Sequence, residues 1–268
     1  MNTSTGSPQA PIADVDVAAV AALIGDRARC VMLHCLLDSS ERPAGELARA
    51  AGVSATTASG HLHRLVGAGL LTVRACGRHR YYGLAGPQVA VALEALALIA
   101  PPMPVRSLRQ ASSAAALADA RSCYDHLAGH AGVTLRTALL DTGALSPHGP
   151  RDHQLTATGQ ALLADLGIDA AALLRSRRLL ARDCLDWTER RPHLAGALPA
   201  ALLARFLELG WLARRRTDRG LRVTDLGRAQ LAQLARPGLV AAATTPWRLR
   251  PEGRGTCSTP VEGRRGRP

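Results

Sequence analysis

The chain has 268 residues, of which 47% are hydrophobic and only 3% aromatic, and it carries a formal net charge of +12 with a pI near 10.9. That length suits two domains with separate cores, and a core of Ala, Leu and Val almost without rings favours packed helices over a sandwich. All 33 basic residues are arginines, a surplus that points to a polyanionic partner, while the lack of any apolar run of roughly 18 residues argues against a membrane partner and for a cytoplasmic protein.

Residues 1–13 form a polar leader expected to be disordered. Next, "VDVAAVAALIG" and "DRARCVMLHCLLDSS" place apolar residues at helical spacing, with Gly25 and Asp26 marking an end and a start. In "RPAGELARAAGVS", Pro43 is set to open a short helix, Leu47 and Ala48 face inward, and Gly52 closes it. Ser54 caps a longer helix running to about Gly67. Short helix, tight turn, longer helix is the helix-turn-helix layout. "GLLTVRACGRHRYYGLA" alternates, turns at Gly77 and Arg78, and reads as a β-hairpin, hence a wing. "QVAVALEALALIAPP" is apolar on nearly every side, with Glu94 its one charge. Such a helix needs cover all round, which points to a dimer interface shared with the first helix, or else to cover from the C-terminal half of the same chain. Residues 14–102 are thus expected to form a winged helix-turn-helix domain for DNA binding and dimerisation.

From "SLRQASSAAALADARSCYDHLAGH" onward the pattern reads as helical, so residues 103–236 are expected to form a helical effector domain, and residues 237–268 a basic disordered tail. Two stretches share a layout of helix, glycine (Gly143 or Gly210), hairpin and T-x-x-G, with Thr156 and Gly159 matching Thr224 and Gly227. The same helix-glycine-hairpin rhythm occurs at Gly69, so the second half is expected to contain winged-helix-like repeats. The fold class expected is mainly α with small β-hairpin wings (α+β).

On the helix after Ser54, Ala55, Ala58, Leu62 and Leu65 form the packing stripe, leaving Thr56, Thr57, Ser59, Gly60, His61, His63 and Arg64 outside. Small hydroxyl side chains let a helix approach the major groove, and Gly60 gives up about 1 kcal/mol of helix propensity, which suggests close approach. Ser54 and these seven residues, with Arg78, His79 and Arg80 at the wing tip for phosphates or the minor groove, are the candidate contacts to double-stranded DNA.

The stretch "ELARAAGVSATTASGHLHRLVGAGLLTVRACGRHRYYGL" resembles the ArsR family of bacterial winged-helix repressors. The family pattern is met at Val53, Ser54, Thr57, Ser59, His61, Leu62, Leu65, Gly69 and Leu70. The resemblance implies a homodimeric repressor that binds operator DNA and is released by an effector, commonly a metal ion or a change in thiol oxidation. Two ligand positions common in the family are empty here: "ELARAAG" holds no cysteine pair and "QVAVALEALALIA" holds no Asp and His set.

The second half carries its own candidates. "RSCYDHLAG" and "RDCLDWTERRPHLAG" each hold R-x-C-x-D and later H-L-A-G. If the two units pack about a pseudo-two-fold axis, Cys123, His126, Cys184 and His193 converge into a four-ligand set for zinc or a softer metal, the one possible cofactor. Small buried cysteines and helix-ending glycines account for the same residues, with the aspartates pairing to Arg121 and Arg182. Read as a helix, the first phrase also puts Cys123, His126 and His130 on one face. Cys30, His34 and Cys35 read as core, and none of the six cysteines forms a C-x-x-C pair. Trp187 and Trp211 serve either an organic effector pocket or the core. No G-x-S-x-G, phosphate-binding glycine loop or H-E-x-x-H is present, so no catalytic residue and no enzyme activity are expected. The alternative function is a metal- or thiol-responsive sensor or interaction module whose winged helix mainly contacts protein.

Overall fold

A computed structural model describes residues 14–215 and 218–235; the leader 1–13, the tail 237–268 and Cys257 lie outside the described residues. The first module begins with α1 (Val17–Ile24) and α2 (Arg27–Cys35), each started by an aspartate whose carboxylate accepts the N–H of the third residue on, Asp16 from Ala19 and Asp26 from Arg29. A two-residue strand, β1 (Arg42–Pro43), leads into α3 (Ala44–Ala51), which Gly52 ends at a left-handed φ of 67°. Then come α4 (Ala55–Gly67), the hairpin β2 (Leu71–Cys76) and β3 (His79–Leu84), and α5 (Pro87–Ile99). β3 lies between β1 and β2, with Arg42 opposite Tyr82 and Leu71 opposite Leu84. Met32, Leu33, Leu47, Leu62, Leu65 and Leu93 fill the core of this module.

The second module holds α6 (Leu108–Asp119), β4 (Arg121–Cys123), β5 (His126–Ala128), α7 (His130–Asp141), β6 (Leu145–Pro147), β7 (Asp152–Leu155), α8 (Ala157–Asp165) and α9 (Ala170–Arg175). It continues with β8 (Ala181–Leu185), β9 (Pro192–Ala195), α10 (Ala197–Glu208), β10 (Leu212–Arg214), β11 (Leu221–Val223) and α11 (Asp225–Leu234). Its separate core gathers Leu139, Leu163, Leu202, Phe206 and Trp211, with the Trp211 ring stacked 4.9 Å from Phe206. Trp211 is therefore an anchor of this core.

One expectation is corrected here. The helix read across "RSCYDHLAG" stops at Asp119, and the residues after it form the β4–β5 hairpin. The edge that holds this hairpin comes from about a hundred residues away: Leu221 N–H donates to Ala120 O at 2.8 Å and Ser122 N–H to Arg219 O at 3.0 Å. Such long-range pairing overrides local propensity. Cys123 and His126 consequently face each other across strands, and His130 opens α7 well exposed, so these three do not share a helix face.

The internal repeat is a ββα-ββα unit: β4-β5-α7-β6-β7-α8 is followed, after the short α9, by β8-β9-α10-β10-β11-α11. The two copies exchange hairpins. β7 pairs with β8 in a sheet ordered β6-β7-β8-β9, and β11 approaches β4 through the Arg121–Gly220 bridge. Thr156 and Thr224 perform one cap twice, each accepting an N–H three residues on and donating its hydroxyl back to the chain before the hairpin, to Gly143 O at 2.6 Å and Gly210 O at 2.8 Å. The glycines of T-x-x-G are fixed by this approach: a Cβ would lie 2.1 Å from Ala144 O at Gly159 and 2.0 Å from Trp211 O at Gly227.

The modules meet at named points. Tyr124 N–H donates to Leu37 O at 2.7 Å, its side chain packs against the first core, and Arg190 donates to Leu98 O at 2.8 Å. The one charge on α5, Glu94, is buried in an ion pair with Arg219. The second module thus covers only one side of α5; Val91 and Ile99 remain 64% and 81% exposed. No helix among the described residues is long and apolar enough to cross a membrane.

Candidate nucleic-acid interface and a buried cysteine and histidine cluster

α4 is set by its ends and by one stripe. Ser54 accepts the N–H of Thr57, and Ala58, Leu62 and Leu65 are fully buried against the preceding helices. Ala55, the first residue of α4 and expected on that stripe, is exposed. Thr56, Ser59, Gly60, His63 and Arg64 are exposed, so their side of the helix is not covered by the second module. The Ser54 and Thr57 hydroxyls lie 2.9 Å apart within the cap.

His61 differs from its expected outward position. Its ring is half buried toward α2, with Nδ1 3.3 Å from Arg29 Nη1 and 3.9 Å from Asp26. Arg29 draws it in: this buried guanidinium closes the end of α1 by donating to Leu23 O and Ala22 O, and its Nη1 meets the His61 ring nitrogen. A Cβ added at Gly60 would meet nothing within 4 Å, so the chain's own packing does not demand glycine there. In the wing, β2 and β3 turn at Gly77, φ 56°, and present Arg78, His79 and Arg80 to solvent. The strand below is braced by Arg74, which holds Glu41 at 2.6 Å and lies over the Tyr81 ring.

The second site sits where the repeat copies face each other. Each first hairpin of a repeat contributes one cysteine directly opposite one histidine, Cys123 with His126 and Cys184 with His193. One sulfur or ring nitrogen from each of the four lies within 4.8 Å of all the others. The two imidazoles stack with centroids 5.2 Å apart, and His193 is wholly buried. Cys123 and Cys184 are free thiols.

The aspartates of the repeated R-x-C-x-D stand behind the rings. Asp125 Oδ1 is 3.3 Å from His126 Nδ1, and Asp186 Oδ2 is 3.4 Å from His193 Nδ1. Both Nε2 atoms, and His193 Nδ1 as well, are buried without a hydrogen-bond partner. Each carboxylate is anchored in turn: Arg178 grips Asp125 at 2.5 Å, and the buried Arg121 meets Asp186 at 3.0 Å while lying over the Trp187 ring. The expected pairing of an aspartate with Arg121 is present, whereas Arg182 instead meets Asp152. Sequence reasoning missed the contact from aspartate to imidazole, although the recurring Asp two residues after each Cys carried its signal.

Electrostatics at this cluster are polarised. Contact with Cys123, and then with the two imidazoles, draws the Cys184 thiol far below its ordinary value, while the same contact and burial push Cys123 up. Burial pulls His126 down, but Asp125 and the Cys184 sulfur outweigh it and hold the ring above the usual histidine value. Burial raises Asp186, yet Arg121, the Thr188 hydroxyl and the Gly129 N–H keep it well below the carboxylate range. Cys30 and Cys35 on α2 are partly buried thiols raised by desolvation.

A helix-turn-helix domain family matches residues 24–74. Over 213 residues the chain is 41% identical to YdfF of Bacillus subtilis, named an uncharacterized HTH-type transcriptional regulator; the match takes in 80% of this chain and 94% of YdfF. It therefore extends far beyond the winged module. Among solved structures, the homodimeric winged helix-turn-helix domain of Mb0332 from Mycobacterium bovis is 32% identical, covers 31% of this chain and 76% of that one, and superposes with a TM-score of 0.28. The transcriptional repressor BigR from Xylella fastidiosa is 25% identical over 32% of this chain and 88% of its own, with a TM-score of 0.30.

Proposed function

The chain belongs to the HTH-type transcriptional regulators, ArsR-like in its recognition-helix motif, and from that premise we propose that it binds operator DNA as a homodimer and represses transcription from it. The observation that carries this reading is the two-sided α4: Ala58, Leu62 and Leu65 are sealed inside, while Thr56, Ser59, Gly60, His63 and Arg64 stand clear of the rest of the chain. Short hydroxyl side chains near the helix start admit it to the major groove, and Arg64 reads a base edge. Ser54 and Thr57, joined in the cap, offer the helix start to a phosphate. His61 acts from behind, fixing α4 on α2. Arg78, His79 and Arg80 take phosphates beside the groove.

The homodimer rests on apolar surface left without cover in one chain. Val17 and Val20 on α1, and Val91, Leu96 and Ile99 on α5, are all exposed. A second copy burying both helices makes an isologous interface and sets two recognition helices about 34 Å apart, one helical turn of DNA. Residues 14–102 are assigned DNA binding and dimerisation, and residues 103–236 effector response.

The test is fluorescence anisotropy with a duplex from the region upstream of the gene, at several salt concentrations, beside sedimentation of the free protein. A dimer that binds this duplex far more tightly than a scrambled one, with a steep salt dependence, is expected. Equal affinity for both duplexes, or a monomer at micromolar concentration, overturns the reading.

A further inference from the structure

We propose that Cys123, His126, Cys184 and His193 form a closed four-ligand site for Zn2+ or a comparably soft divalent cation, clamping the two repeats of the second module together at their pseudo-two-fold axis. The site goes beyond DNA recognition and stands apart from it, since all four donors lie in residues 123–193.

Four observations carry it. The donor set, two sulfurs and two imidazoles, is one that tetrahedral zinc takes up. The donors converge from four separate strands to within 4.8 Å of one another, and a tetrahedron with metal–ligand bonds of about 2.0–2.3 Å needs separations of roughly 3.3–3.8 Å, so a contraction of about 1 Å completes the site. Both Nε2 atoms are buried with no partner, an expensive condition that a metal ion relieves. His126 Nδ1 is hydrogen-bonded to Asp125 at 3.3 Å and Asp186 stands 3.4 Å behind His193 Nδ1, and a carboxylate behind a ligating histidine aims the other nitrogen at the metal. Asp125 and Asp186 are thus positioning residues.

The chemistry balances without any redox step. One Zn2+ displaces two protons from the cluster, which leave to solvent, and the bis-thiolate, bis-imidazole unit is neutral. With every donor supplied by protein and none by water, the site is structural. Its place also links it to the first module, because Tyr124, between Cys123 and His126, docks on Leu37 O and on the first core. Tyr124 holds a φ of 60°, a left-handed turn position that usually takes glycine, and a clamp on both neighbouring strands sustains it.

Titration of the reduced, metal-free full chain with Co2+, and then with Zn2+, tests the site. Co2+ is expected to bind at one equivalent per chain, with the strong d–d absorption of a tetrahedral complex and a thiolate-to-metal charge-transfer band, and Zn2+ is expected to bleach both. Cys184→Ser should reduce the charge-transfer band. Asp125→Asn should retain the tetrahedral spectrum while losing about 10- to 100-fold in affinity, which a merely structural aspartate would not produce. No stoichiometric uptake by the reduced wild-type chain, or the weak spectrum of an octahedral ion, overturns the site, and because it is read on wild type it does not depend on how the variants fold. A Cys123–Cys184 disulfide that persists in reductant while metal is refused also overturns it. Binding of the upstream duplex is measured on the same samples, so loss of the metal site and loss of the DNA reading are separate results.

Discussion

The winged module and the repeated module use one local device to opposite ends. In each, a helix ends at a glycine in the left-handed region, Gly69 at φ 70°, Gly143 at 69° and Gly210 at 69°, and a hairpin and a further helix follow. In the first module the helix before the glycine, α4, buries three residues and leaves its other side open. In the second, α7 and α10 bury five and six residues and form the centre of a core. Backbone rhythm is thus a poor guide to role. What decides it is the side-chain set around the helix: Thr, Ser, Gly, His and Arg opposite one apolar stripe in α4, against Leu, Ala and Phe on several sides in α10. A duplicated unit closes on its own copy, whereas the single unit keeps a free face for another molecule.

The largest expected effect tests whether the two cores are separate. Phe206→Ala removes a fully buried ring from the second core, and large-to-small changes of this kind cost about 3–5 kcal/mol. Urea unfolding followed by tryptophan fluorescence should show that loss, since Trp211 stacks on Phe206. Duplex binding should survive at concentrations below the new transition. If binding collapses together with the second core, the modules form a single cooperative unit and the two cores are not separate.

The free face of α4 is tested next. Arg64→Ala should weaken the upstream duplex by about 1–3 kcal/mol and relax preference at one position, whereas Arg80→Ala should weaken all duplexes alike and lower the salt slope by about 1. Anisotropy titrations at several salt concentrations separate the two. Identical, wild-type affinities for both variants would leave α4 without its assigned partner.

An acid limit is built into the second module. Asp183 meets Arg136 at 2.7 Å and His153 at 2.7 Å, and although burial opposes them, these partners hold its carboxyl below the ordinary value. A depressed carboxylate contributes stability above its unfolded value, near 3.9, and loses that contribution as pH falls through the lower folded value. Denaturation midpoints of the second module should therefore drop below about pH 4, and Asp183→Asn should flatten that part of the curve.

How legible these two modules were in the sequence follows the same division. In the first, local chemistry decides: Asp26 and Ser54 cap their helices, Gly52 takes the left-handed end, and Gly77 turns the wing as the residues predict. In the second, the recurring R-x-C-x-D and H-L-A-G were enough to bring Cys123, His126, Cys184 and His193 together, because symmetry converts a repeat into a contact. The strands carrying them were not legible. β4 and β5 are three residues each, and the backbone that pairs with β4 arrives from residues 219–221, which no local window contains. His61 was misplaced for a similar reason: periodicity puts it on the outside, but Arg29, thirty-two positions earlier, turns its ring inward.

The smallest expected effect is also the sharpest, because it should have opposite signs in two assays. Gly60 sits in the middle of α4, where glycine costs the helix up to about 1 kcal/mol relative to alanine. Its added Cβ would meet nothing in the chain, so Gly60→Ala should raise the stability of the first module by a fraction of that amount in urea unfolding. On the duplex, the same methyl group would stand between the helix backbone and the floor of the groove and reduce affinity. A gain in stability paired with a loss in binding marks a face shaped by an external surface. A gain in both would mean that α4 keeps its distance from DNA at this position, moving recognition toward Thr56 and Arg64.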